Sequence, residues 1–128
     1  MVLIKPILFC LMLLSWSSHG SKPSESSIGY ESVEEALNAM KNSPGAAVRY
    51  ENGWTVVNFQ NKRILWSFTP EDHPAHPSAV KREVVHNDKG ISLDMNVSCK
   101  STKEACDQLV EEFELLNESI RQKMRLEN

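Results

Sequence analysis

The sequence predicts an α+β fold: an antiparallel sheet of about five strands, flanked by an N-terminal helix and a long C-terminal helix that pack on one sheet face. Apolar residues recur with helical spacing before residue 42 and after residue 100, and they alternate with polar residues in between. No helical pattern separates the strands, which argues against the crossover connections of a parallel sheet. We therefore expect the chain to run up and down through one sheet.

A capping box predicts where the first helix begins. The Ser32 hydroxyl is placed to accept a hydrogen bond from the Glu35 amide, and the Glu35 carboxylate to reach back. Breaker residues at 42–45 end the helix. Between them, apolar residues at i, i+3, i+4 and i+7 form one stripe: Val33, Ala36, Leu37 and Met40.

A second capping box, Ser101–Glu104, opens the longest helix. Acidic residues load the side opposite its apolar stripe, and basic residues lie near its end, where the helix dipole favours them. The stripe is expected to face the sheet and consists of Cys106, Leu109, Val110, Phe113, Leu116, Ile120 and Met124.

Alternation of apolar and polar residues predicts the strands. Residues 46–51 and 54–59 flank Asn52-Gly53, a dipeptide typical of two-residue β-hairpins. Further strands are predicted at 64–69, 80–86 and 91–99. In the strand at 91–99, every second residue is apolar, which is typical of a strand that buries one face and exposes the other to water. The other sheet face is expected to be polar and open, with Lys81, Glu83, Asp94 and Asn96 on it.

The first 20 residues have the three parts of a cleavable secretory signal. Lys5 gives the positive start, residues 7–14 form an unbroken apolar run, and Ser18 and Gly20 are small residues before the cut. The run is shorter than the roughly 20 residues of a membrane-spanning helix, so an uncleaved anchor is only the alternative. Cleavage is expected after Gly20, with Ser17 as the rival position.

The predicted organisation is a signal peptide at 1–20, a flexible lead at 21–30 and a single α+β domain at 31–128. Removing the signal removes one basic residue, Lys5, and no acidic one, so the formal net charge changes from −3 to −4. Such a chain lacks the basic footprint of nucleic-acid-binding proteins and is not attracted to an anionic membrane surface. Neither is an expected partner.

Two cysteines remain once Cys10 leaves with the signal. In an oxidising compartment, an even pair of exported cysteines usually forms a disulfide. Cys99 ends the last predicted strand on its apolar side, and Cys106 lies on the stripe of the helix that follows. A Cys99–Cys106 bridge is expected to join helix and sheet, and two buried free thiols are the alternative.

The segment LWSFTPEDHPAHP, residues 65–77, contains side chains suited to metal binding. His73 and His76 could bind a metal together with His86, with Glu71 and Asp72 as further donors. Prolines prevent a regular helix here, and in an extended segment the first two imidazoles are about 9 Å apart. We expect a stiff, exposed loop and no cofactor. An exported metal-binding protein that uses this loop is the alternative function.

No enzymatic site is expected. Ser67 lacks the Gly-x-Ser-x-Gly surroundings of a nucleophile elbow, and no glycine-rich phosphate loop is present. Aromatic strands beside a rigid loop favour protein contact, because aromatic residues concentrate binding energy at interfaces. The candidate partner-binding residues are Trp54, Trp66, Phe68, His73 and His76, and membership of the core is the alternative for the three aromatic residues.

Four runs of the chain resemble a family of small exported bacterial proteins that are sometimes labelled molecular chaperones. These runs are ESVEEALNAM, GWTVV, LWSFTPEDHPAHPSAVKR and CKSTKEACDQLVEEFELLNESIR. They span nearly the whole mature chain, and W-S-F-T-P-x-x-H-P-A-x-P is their most specific motif. The resemblance implies a periplasmic location and a paired Cys99–Cys106, and it implies no catalytic residues.

The sequence thus predicts a non-enzymatic periplasmic module that binds another protein. One role that fits is an immunity protein or inhibitor that neutralises a toxin acting in the periplasm. The other is an envelope chaperone or accessory factor. Both suit a small, acidic, disulfide-linked domain.

We expect the chain recovered from the envelope of its native host to begin at Ser21, because the small residues before this position suit signal peptidase. N-terminal sequencing or the intact mass checks this. A start at Ser18 would identify the rival position. A chain that keeps Met1 and stays in the membrane fraction contradicts the cleavable signal.

Overall fold

The elements follow the predicted order of helix, strands and helix. A computed structural model describes residues 28–127, and the predicted signal peptide and residues 21–27 of the lead lie outside this range. The predicted α+β class is confirmed, because the five strands form one antiparallel sheet in the order β1-β2-β3-β4-β5. The elements are α1 (Val33–Lys41), β1 (Ala47–Glu51), β2 (Trp54–Phe59), a 3-10 turn (Gln60–Lys62), β3 (Ile64–Phe68), β4 (Ser78–Asn87), β5 (Gly90–Cys99) and α2 (Lys103–Leu126).

The hairpin between β1 and β2 forms as the sequence predicts. Glu51 pairs with Trp54 across a two-residue turn, and Asn52 and Gly53 have φ values of 50° and 83°. Turns with two positive φ values match the twist of the flanking strands. A Cβ at Gly53 would lie 3.1 Å from the Cβ of Pro70. This glycine therefore also lets the segment between β3 and β4, residues 69–77, approach the hairpin. We call this segment the proline-rich loop.

Hydroxyl groups cap both helices. The Ser32 hydroxyl accepts from the Glu35 amide at 3.0 Å, as predicted. At α2 the cap is Thr102, whose hydroxyl accepts from the Ala105 amide at 3.2 Å, so the helix begins one residue later than the predicted box. The Ser101 hydroxyl instead donates a hydrogen bond to the Pro74 carbonyl of the proline-rich loop at 2.7 Å.

The helices lie on opposite faces of the sheet, whereas the sequence predicts both on one face. The α1 face is the one that carries Val57, and the α2 face is the one that carries its neighbour Val56. Consecutive residues of β2 are apolar, so each face of the sheet offers apolar side chains on which a helix can pack. The α1 core contains Val33, Ala36, Met40, Val57, Phe59, Trp66, Phe68 and Ala79, and the α2 core contains Ala75, Val80, Leu109 and Phe113.

The polar part of the sheet lies on the α1 face, at its β4–β5 end. Cross-strand pairing aligns Lys81 with Asn96 and Glu83 with Asp94. All four side chains are exposed or half-buried, so the predicted polar residues do share a surface, but α1 covers the other end of this face, which the sequence predicts to be open. At the other end of this face, Ile28 is buried, so the packed structure includes residues that the sequence assigns to the lead.

The predicted disulfide is confirmed. Cys99 and Cys106 are bonded, with their Cα atoms 5.8 Å apart, and they join the end of β5 to the first turns of α2. The bridge closes a short loop and therefore fixes where α2 leaves the sheet. Within residues 28–127, no helix combines the length and the apolar content that a bilayer span requires.

Replacing both cysteines, as Cys99→Ala with Cys106→Ala, should lower the free energy of unfolding by about 2–3 kcal/mol, because the unfolded chain regains the entropy of an open loop. Urea denaturation of the oxidised wild type and of the variant measures the difference. The wild type in reductant is the matched control and should behave like the variant. Identical denaturation midpoints for the oxidised wild type and the variant would contradict a stabilising bridge.

Candidate functional site

A groove runs beside α2, because this helix covers only part of the face on which it lies. The α2-face residues of β1, β2 and β3 meet one side of the helix and enclose a cavity of about 370 Å³. We call it the Arg82 groove. Its lining residues are Arg49, Glu51, Asn52, Trp54, Val56, Leu65, Ser67, Arg82, Phe113, Leu116 and Ile120.

The groove is open because α2 touches the sheet along a narrow line. Its buried residues are Leu109, Phe113 and Asn117, spaced four apart. Leu116 and Ile120 belong to the stripe predicted to face the sheet, but they lie to one side of this line. Leu116 keeps 46% of its surface exposed. The predicted stripe is thus wider than the actual contact, and its excess apolar surface lines the groove.

Trp54 links the groove to the proline-rich loop. Its ring is half-buried and lies 5.8 Å from the ring of Phe113 on α2. On its other side it meets the ring of His73 edge-on at 5.2 Å. Aromatic rings in such tilted arrangements attract one another beyond the area that they bury. Trp54 therefore holds loop, sheet and helix together at this part of the groove.

Arg82 is the unusual residue of the groove. Strand pairing places it between Leu65 and Met95 on the α2 face, where only 8% of its surface is exposed. Its Nη1 donates to Oδ1 of Asn117 at 3.4 Å, and its guanidinium carbon lies 5.1 Å from the ring centre of Phe113. Its Nε is buried without a hydrogen-bond partner, and no carboxylate of the described residues forms an ion pair with it.

A charge in this position is costly. Burial removes water from the guanidinium and thereby lowers the pKa of Arg82 below its ordinary value. Arginine nevertheless stays protonated, so the charge is kept. Buried charges in proteins are generally paired, because an uncompensated one costs several kcal/mol. The contacts of Arg82 with an amide oxygen and an aromatic face compensate it only in part.

The two sides of α2 differ in charge. At the groove, Arg49 Nε forms an exposed ion pair with Glu51 Oε1 at 3.0 Å, which leaves Arg82 as the unbalanced charge. The charged residues that line the cavity on the other side of α2 are three acidic ones, Glu111, Glu114 and Glu118, and one basic one, Arg121. The Arg82 groove therefore has the opposite sign to its neighbour and to the chain, whose formal net charge is −3.

The proline-rich loop is held by its own side chains. His73 Nδ1 accepts from the Ala75 amide at 3.0 Å, and His76 Nδ1 lies 3.1 Å from the Thr69 hydroxyl. Ala75 is fully buried against α2, whereas the preceding residues Glu71 and Asp72 are exposed. The loop is therefore more closely packed than the exposed loop that the sequence predicts, and Glu71, Asp72 and Pro74 are its exposed residues.

The three histidines proposed as metal ligands do not converge. His73 and His76 precede β4, while His86 lies near its far end, opposite Ile91. Across residues 28–127, no group of three or more His, Cys, Asp or Glu side chains is arranged to hold a metal ion. No observation of the geometry therefore favours the metal-binding alternative.

The candidate partner-binding residues fall into two groups. Trp54 lines the groove, and His73 packs against it from the loop, close to His76. Trp66 and Phe68 are instead stacked in the α1 core at 5.8 Å, with 3% and 2% of their surfaces exposed. These two residues stabilise the fold and are not accessible to a partner, which corrects the prediction.

No protein-family model, no curated protein and no solved structure matches this chain. The interpretation of the site therefore depends on its geometry and charge. The unpaired Arg82 and the exposed apolar side of α2 are the features that require explanation.

Arg82→Met should change the free energy of unfolding by no more than about 1 kcal/mol, because the removal of a buried charge is offset by the loss of the long hydrogen bond to the buried Asn117 amide. Urea denaturation checks this. Arg121→Met, on the other side of α2, is the control and should lower the stability by no more than about 1 kcal/mol, because its contacts with Glu118 and the Leu93 carbonyl are long. A loss of more than about 2 kcal/mol in Arg82→Met would contradict a poorly compensated charge.

Proposed function

We propose that this protein is a non-enzymatic protein-binding module and that the Arg82 groove is its contact surface. The observation that carries the proposal is the uncovered part of the α2 face, where apolar residues of sheet and helix border a concave surface. Leu116 is exposed there beside Trp54 and Phe113. Concave apolar surfaces with a polar rim are typical of interaction sites.

The composition of the groove supports a protein partner. Trp54 and Arg82 are of the residue types that dominate binding energy at protein interfaces, and both line the groove. The exposed pair Arg49 and Glu51 provides a polar rim. An aromatic residue and an arginine inside, with charged residues outside, match the usual order of a protein interface.

The floor of the groove is also rigid. It consists of paired strands, and the start of the helix that forms one wall is tied to the sheet by Cys99–Cys106. A surface that is formed before binding loses little conformational entropy when a partner arrives. This favours recognition of a defined partner.

Two roles are compatible with this surface in the periplasm, to which the proposed signal peptide would direct the chain. As an immunity protein or inhibitor, it would bind one toxin at equal stoichiometry. As an envelope chaperone or accessory factor, it would bind several client proteins weakly through the same apolar residues. The rigid floor favours the first role.

A photoreactive p-benzoylphenylalanine at position 116, in place of Leu116, should cross-link to a partner in cells of the native host, because this side chain faces the groove. Denaturing gels and mass spectrometry detect the product. One discrete product indicates an inhibitor or a dedicated accessory factor, and a ladder of many products indicates a chaperone.

The matched control carries the same photoreactive residue in place of Leu115. Leu115 is 68% exposed, but it lines the cavity on the other side of α2. The protein labelled at position 115 should give markedly less of the cross-linked product that forms from position 116. Equal yields from both positions, or no product from either, would refute the groove as the contact surface.

A further inference from the structure

We propose that the buried Arg82 is the anchor for a carboxylate of the partner protein, supplied by an acidic side chain that has apolar neighbours on the same segment. This inference rests on the proposed function and names the chemistry of the partner. Arg82 then recognises the segment, while the apolar residues of the groove hold its flanks.

Arg82 has hydrogen-bonding capacity that the chain itself does not use. A guanidinium offers five N–H donors. Among the described residues, Arg82 uses one of them, in the hydrogen bond from Nη1 to Asn117. That bond, at 3.4 Å, is long for a charged donor. Nε has no partner. A carboxylate matches the fork of a guanidinium and can accept two of its hydrogen bonds at once.

The position of Arg82 makes such a pair selective. Leu65 and Phe113 line the groove beside the guanidinium and keep the local polarity low. A charge pair gains more energy in such surroundings than in water, and salt screens it less. Ser67 lines the same groove and offers a further donor. A neutral amide in place of the carboxylate would leave the arginine charge unbalanced.

Charge complementarity identifies the occupant as an acidic segment. The cavity on the other side of α2 is acidic and would repel such a segment, whereas the Arg82 groove attracts it. The apolar residues Trp54, Leu116 and Ile120 require apolar neighbours next to the carboxylate. An extended peptide segment with the pattern apolar–acidic–apolar satisfies both conditions.

The test uses two synthetic probes, acetyl-Leu-Asp-Leu-amide and acetyl-Leu-Asn-Leu-amide, which differ in one charged group. Each is titrated into the isotope-labelled mature protein while NMR follows the side-chain Nε–H signal of Arg82 and the methyl signals of Leu116 and Ile120. We expect saturable shifts with the Asp probe at about 1 mM, and an affinity about tenfold higher than for the Asn probe.

Two variants test whether the preference for the Asp probe comes from Arg82 itself. Arg82→Met should bind both probes with equal affinity, because the charge that distinguishes them is gone. Arg121→Met, with its arginine removed from the other side of α2, should keep the tenfold preference. Circular dichroism and the methyl spectrum report whether each variant is folded, and Arg82→Gln replaces Arg82→Met if the latter is not.

Three outcomes would overturn the carboxylate anchor. The first is equal affinity of the wild type for both probes, which leaves the protein-binding groove itself intact. The second is the absence of groove shifts at about 10 mM Asp probe. The third is a change in the same signals on dilution without any probe, because a second copy of this chain would then be the occupant. Failure of the proposed function is distinguished by the missing cross-link at position 116.

Discussion

The pairing of β3 with β4 is the constraint on which the rest of the structure depends. It aligns Leu65 with Arg82 on one face and Trp66 with Lys81 on the other. A shift by one residue would exchange the faces of these side chains, because successive residues of a strand point to opposite sides. In the actual register, Lys81 lies at the edge of the α1 core, over the ring of Trp66, while the guanidinium of Arg82 enters the apolar layer under α2.

The two helices cover opposite faces and different parts of the sheet, and this explains the surfaces that remain. The α1 helix packs mainly over β3 and β4 on one face, and α2 lies mainly over β5 on the other. Each face therefore keeps one uncovered part. On the α1 face that part carries polar residues such as Asp94 and Asn96 and needs no cover. On the α2 face it contains Val56 and Leu65, and this apolar surface forms the groove.

Much of the fold was predictable because its signals are local. The capping residue Ser32, the Asn52-Gly53 turn and the closely spaced cysteines Cys99 and Cys106 each depend on a few neighbouring residues. The face on which each helix packs was not predictable in this way. In β2 and β3 consecutive residues are apolar, as Val56 and Val57 are, so the pattern gives no preference for either side.

The candidate site was predicted only in part for the same reason. The prediction included Trp54, but it also included Trp66 and Phe68, since sequence does not tell an aromatic core from an aromatic surface. Arg82 was missed although a signal existed. Alternation places it between Val80 and Val84, on the side opposite Lys81, and a charged residue in that position is buried.

The line of contact between α2 and the sheet also has a mechanical consequence. The helix has 24 residues, about 36 Å of length, but its last buried residue is Asn117. It is fastened at its start by Cys106 and by its packing on β4 and β5, and farther along it is held more lightly, as by the 3.4 Å bond from Arg121 to the Leu93 carbonyl. The start of this helix is therefore fixed to the sheet, whereas its end is less constrained. Small tilts of its distal turns would widen or narrow the cleft while the strands beneath stay undisturbed.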